Sequence, residues 1–168
     1  MPMNGMRIKK QAPCLVMKIK INIQRATKTT ALPSSPHIRK WVKTALAGHV
    51  DHAELTIRMV GAKEATRLNW QWRRKKGPTN VLSFPATGMQ NFAPGLLGDI
   101  VLCAPVLRHE ARAQQKPLSD HCAHLVVHGM LHLQGYEHDT VRAARTMEAR
   151  ETVILDRLSV PDPYADRL

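Results

Sequence analysis

Aromatic residues make up only 4% of this 168-residue chain, so a core must be assembled from Val, Ile, Leu, Met and Ala. Cysteine is nearly as scarce. Cys14, Cys103 and Cys122 are odd in number and show no CxxC spacing, which argues against a disulfide framework and against a cysteine-based metal site. Reduced thiols of a cytosolic protein are the expectation. Acids are also few: thirteen Asp and Glu face twenty-five Lys and Arg, a net charge of +12. A field of that sign attracts polyanions, with nucleic acid or the ribosome foremost, although charge alone equally describes a solubilising surface. No apolar run approaches the ~18–20 residues of a membrane span. The stretch from Ala12 to Met17 is too short and broken for a signal peptide. The cytoplasm is the compartment expected, with no membrane partner.

What is present suits one ordinary domain, with 43% hydrophobic residues available for a core. Residues 1–16 carry three cations, two prolines and no acid, and read as a disordered basic leader. One domain over residues 17–168 is expected to follow. Lys18 to Gln24 and Leu55 to Met59 alternate polar and apolar residues, the pattern of half-buried strands. Ser35 and Pro36 stand as N-cap and first-turn residues of a helix to about Ala47. A helix over Ala62 to Trp72 leads to the basic loop Arg73-Arg74-Lys75-Lys76-Gly77-Pro78 and a short strand, Val81 to Phe84. Residues 85–98 hold two prolines and three glycines and read as a long loop before a strand from Asp99 to Cys103. Three helices follow, over Pro105 to Gln115, over Ser119 (as N-cap) to Gly135, and over Thr140 to Leu158. The sum is one α+β domain, a four-stranded mixed sheet packed by about five helices.

Five of the nine histidines fall between positions 121 and 138. His128 and His132 are four apart, which on a helix puts both rings on one face about 6 Å apart. Gly135 can take the left-handed conformation that ends a helix, letting the chain return His138 to the same point. Three imidazoles with room for water are the arrangement of catalytic zinc rather than structural zinc. His121 and His124 lie on roughly the same stripe and are expected to be core-facing or supporting residues. The spacing H-x3-H-x2-G-x2-H is also that of metzincin proteases, with their zincin-like metal helix, but those need a Glu directly after the first His, and here Gly129 stands there. The metal cradle is present and the peptidase base is missing.

Three segments together resemble the YbeY family of bacterial metal-dependent endoribonucleases. They are Pro78-Thr79-Asn80-Val81-Leu82-Ser83-Phe84-Pro85, Leu97-Gly98-Asp99-Ile100-Val101-Leu102-Cys103, and His128-Gly129-Met130-Leu131-His132-Leu133-Gln134-Gly135-Tyr136-Glu137-His138. The resemblance covers about residues 17 to 164. It implies one zinc ion on His128, His132 and His138, and a catalytic arginine at Arg73. It implies single-strand-specific cleavage of RNA at the 3′ end of small-subunit rRNA, a part in disposal of defective ribosomes, and association with the small ribosomal subunit rather than with DNA. Trp72 stands where the family usually has Tyr, Arg74 and Lys76 make the loop more basic than usual, and Glu137 replaces an Asp. With Arg74, Lys75 and Lys76 as RNA-binding cations, the reading is metal-assisted phosphodiester cleavage. Two other classes fit the same residues less well: a metallohydrolase of a non-RNA substrate, and a non-catalytic assembly factor with structural zinc. Glu137 and Asp139 lie close to the histidines in sequence, but no residue stands out as a general base.

Overall fold

Alternation of apolar and polar side chains carries the first two strands further than their patterned centres. In the computed structural model β1 spans Lys18–Ala26 and β2 spans His52–Val60, paired in parallel from Lys18 opposite His52 to Ala26 opposite Val60. Residues 18–47, 52–89 and 91–165 are described. The leader expected over residues 1–16, and Met17, lie outside them. Between the strands runs helix α1, Ser35–Leu46, whose N-cap is Ser34, one residue before the expected Ser35. Pro36 fits the first turn because its missing N–H is one that a helix start leaves unbonded anyway. Helix α2, Ala62–Arg73, leads to β3, Val81–Pro85, at the sheet edge.

Strand β4 is longer than expected, Leu96–Cys103, so the loop before it is shorter than the Pro and Gly content suggested. The reason is a bulge. Glu54 pairs with Leu96 and Leu55 with Gly98, leaving Leu97 as an extra residue. Gly98 has φ +128, and a Cβ there would sit 2.1 Å from the Phe84 carbonyl oxygen, so only glycine permits the pairing. β4 runs parallel to β2 and antiparallel to β3, giving the mixed order β1-β2-β4-β3.

Three helices complete the domain: α3 Ala104–Ala113, α4 Leu118–Leu133 and α5 Val141–Arg157. Ser119 does not cap α4. Pro117 occupies that position in extended conformation, its carbonyl accepts from Asp120 and His121, and the Ser119 hydroxyl turns instead to Asp120. α5 begins as expected on Thr140, whose hydroxyl accepts from the Ala143 N–H at 3.1 Å. The main core lies on one face of the sheet, where Ala53, Leu55, Ile57, Met59, Ile100 and Leu102 meet α1, α4 and α5. On the other face α2 covers Val101 and Leu82, while Thr56 and Arg58 of β2 stay only partly covered. Among the described residues no helix is long and apolar enough to cross a membrane.

Candidate metal centre

α4 is the buried centre of the molecule, with Leu125, Val126, Val127, Met130 and Leu131 all in the core. Its packing leaves no room beside Gly129. A Cβ there would meet three Ile100 side-chain atoms at 2.9, 3.1 and 3.2 Å. The position that a peptidase fills with Glu is therefore closed by α4 lying against β4. His128 and His132 flank this contact on the accessible side of the helix, both half-buried.

The helix ends in two paired hydrogen bonds, Gly135 N–H to the His132 carbonyl and Tyr136 N–H to the Leu131 carbonyl, both 3.0 Å. Gly135 sits between them at φ +89, the left-handed residue that this ending requires. The chain then turns and sets the His138 ring 5.8 Å from His128 and 5.0 Å from His132, centroid to centroid. One ligand nitrogen from each of the three rings falls within 4.8 Å of the others. The Nε2 atoms of His128 and His132 are 3.1 Å apart. Two nitrogens on a tetrahedral zinc, with bonds of about 2.0–2.1 Å, stand about 3.3 Å apart, so the donor set fits that ion.

The outer side of each helical ring is held. His128 Nδ1 lies 2.6 Å from Glu151 Oε1 on α5, and since the carboxylate can only accept, Nδ1 donates and Nε2 presents its lone pair inward. The His132 ring bonds the backbone of Tyr136, with Glu137 Oε2 3.8 Å from its Nδ1. Burial, then the neighbouring His128 and His138, lower the His132 pKa against the opposing pull of Glu137 and Tyr136. A lowered pKa keeps the imidazole neutral, the form that binds a metal.

Glu151 is a residue the sequence pattern did not single out, and it is 0% exposed. Its Oε2 accepts from His124 at 3.2 Å and from the Tyr164 hydroxyl. Burial alone would raise its pKa, but the bonds from His124 and His128, the His128 charge and the Tyr164 bond outweigh that and hold it down at about 2. His124 and His121 stand outside the three-ring set, as expected. His121 bonds Glu110 at 2.7 Å, and Glu110 accepts the Asn80 amide at 3.2 Å, which ties α3 and α4 to the start of β3. Cys103 and Cys122 are buried and free, and burial raises both thiols, that of Cys122 to about 12, so neither offers a thiolate.

Residues 21–159 match the sequence profile of the family Endoribonuclease YbeY. The chain belongs to the YbeY family. It is 48% identical over 148 residues to "Endoribonuclease YbeY" of Methylococcus capsulatus, covering 88% of this chain and 97% of that one. A relative of the same name from Xanthomonas campestris is 46% identical over 153 residues, 89% of this chain and 95% of the other. The solution structure of TM1509 from Thermotoga maritima shares the fold, with a TM-score of 0.55 at 20% identity over 83% of this chain and 91% of that one.

The residues expected to handle RNA lie apart from the histidines along the chain, around the end of α2. Arg73 is its last residue and is exposed; Arg74 takes the left-handed conformation at φ 56 and caps the helix through its N–H to the Trp70 carbonyl. Lys75 and Lys76 are exposed, and the loop is closed by the Asn69 amide donating to the Gly77 carbonyl at 2.9 Å. β3 joins the two regions. Trp72 packs edge-on against Phe84, with ring centroids 5.7 Å apart, and α4 packs beside the same strand. Two cavities reach the histidines. One, of about 300 Å³, is bordered by His128, His138, Asn80 and Glu148, and the other by His132, Tyr136, Glu137 and Pro85. Arg73 lines neither.

Proposed function

We propose that this chain is a zinc-dependent endoribonuclease, specific for single strands, that acts on the 3′ end of small-subunit rRNA and in disposal of defective ribosomes. The observation that carries the reading is the three-histidine set, with its ligand nitrogens within 4.8 Å of one another, in a member of the YbeY family. His128, His132 and His138 would hold the ion, and a zinc there supplies Lewis acidity toward a phosphodiester. Three protein ligands leave a position open, as a catalytic rather than a structural site needs.

The chain's own groups carry the rest. Glu151 fixes the tautomer and direction of His128. Arg73, at the exposed end of α2, offsets charge that builds on the phosphate, and it would reach the scissile group only with RNA bound across β3. Arg74, Lys75 and Lys76 neutralise neighbouring phosphates and give a salt-dependent grip on the strand. The basic surface suits the small ribosomal subunit as partner and the cytoplasm as the place of work, with residues 17–168 as the working unit. The test is incubation of zinc-loaded and chelated protein with a precursor of the small-subunit rRNA 3′ end. Cleavage confined to the loaded protein is expected; equal cleavage after chelation, or none when loaded, contradicts the reading.

A further inference from the structure

The face of the sheet away from α4 holds a further concavity, of about 760 Å³, walled by Trp72 and Leu68 of α2 and floored by β2, β3 and β4. Trp72 is 62% exposed although its ring meets Phe84 at 66°, so much of a large flat ring stays open where it lines the concavity. Thr56, Ser83 and Asp99 line the floor, and Arg58 is held at its margin by Glu64 at 2.9 Å and by Gln24 at 2.8 Å. An aromatic wall over an apolar floor that carries two hydroxyls and one carboxylate suits a flat heterocycle with amino groups on its edge.

The position of the concavity says whose heterocycle it is. The residues just beyond Trp72 on the chain are the exposed cations Arg73, Arg74, Lys75 and Lys76, so phosphates belong at its rim and not on its acid-bearing floor. Pro85, Ala86 and Leu96 border this concavity and also the cavity that His132 lines. One extended strand can therefore pass from the end of α2, over Pro85 and Ala86, to the three histidines. We infer that the Trp72 concavity is a base-binding subsite for single-stranded RNA, in which one nucleobase of the substrate stacks on Trp72 and positions the strand for cleavage at the histidine centre. The inference rests on the endoribonuclease reading for its ligand and adds a residue that binds the RNA by its base rather than by its charge.

Loss of one base–aromatic stack weakens binding by roughly tenfold to a hundredfold. The test uses the full zinc-loaded chain and short single-stranded RNA, in normal form and with single abasic positions. In a Trp70→Phe background the remaining tryptophans are buried Trp41 and exposed Trp72, and emission is followed in the first moments after mixing. Stacking predicts a fall in emission that Trp72→Leu abolishes, and a rise in KM of about tenfold or more for Trp72→Leu with kcat within about twofold. Trp72→Tyr should restore KM, and an abasic substitution at one position should weaken binding to the Trp72 chain but not to Trp72→Leu. A KM and a fall in emission in Trp72→Leu equal to those of the parent, or a loss confined to kcat, overturns the subsite. If the zinc-loaded chain shows the emission change without cleaving RNA, the subsite stands and the endoribonuclease reading falls. If it cleaves RNA and Trp72→Leu behaves as the parent, the reverse holds.

Discussion

Replacing Glu151 perturbs the centre from behind, without touching any of the three clustered histidines. In Glu151→Ala the His128 Nδ1–H, the His124 ring and the Tyr164 hydroxyl all lose their bond to this carboxylate. Removing one partner of a buried charged network costs about 3–5 kcal/mol. For a chain of this size each kcal/mol lowers the melting temperature by about 2–4 °C, so a fall of roughly 6–20 °C is expected. Glu151→Gln keeps the volume and one acceptor oxygen for His128, and should lose far less stability. Both variants should bind zinc about tenfold to a hundredfold more weakly, because the carboxylate that raises the basicity of His128 is gone. Calorimetry of the metal-free proteins and competition with a zinc chelator separate the two effects. Glu151→Ala with parental melting temperature and zinc affinity would refute the reasoning.

Acid should act through the same residue. Its folded pKa is depressed from 4.5 to about 2, so the stability it contributes is complete above about pH 4.5 and is lost as pH falls toward 2. The metal-free parent should lose on the order of 3 kcal/mol more than Glu151→Gln across that window. Gly129→Ala pushes a methyl to 2.9 Å from Ile100 and should cost about 1–3 kcal/mol in thermal melts, with Ile100→Val in the same chain recovering part of it; no loss would show that α4 can move off β4. Arg73→Ala should slow cleavage roughly a hundredfold to a thousandfold with modest loss of binding, whereas Lys76→Ala should weaken binding and flatten its salt dependence at a nearly normal rate. Indistinguishable variants would reduce Arg73 to general basicity.

The three-histidine cluster was legible because its geometry is local. His128 and His132 share a face by spacing alone, and Gly135 announces the turn that returns His138. Glu151 was not legible by the same route, since it lies on another helix among Arg145, Glu148 and Arg150 and reads there as one more solvated charge. A signal did exist. Met147, Glu151, Ile154, Leu155 and Leu158 form one stripe at helical spacing, so the Glu interrupts an apolar face, and the structure buries all five. The first residues of β4 were missed for a different reason. Leu96, Leu97 and Gly98 break alternation because a bulge inserts Leu97, and a bulge is fixed by the partner strand. The cap shifts, to Ser34 and to Pro117, reflect backbone direction that neighbouring Ser and Pro residues encode equally well.

Zinc content tests the three-histidine centre most directly. Protein purified without chelator and analysed by mass spectrometry of the bound metal should carry about one zinc per chain. His128→Ala and His132→Ala should each lose most of it, while His121→Ala, whose ring is bonded to Glu110 outside the set, should keep it. Full occupancy in His128→Ala or His132→Ala, or no zinc in the parent chain, would contradict the account.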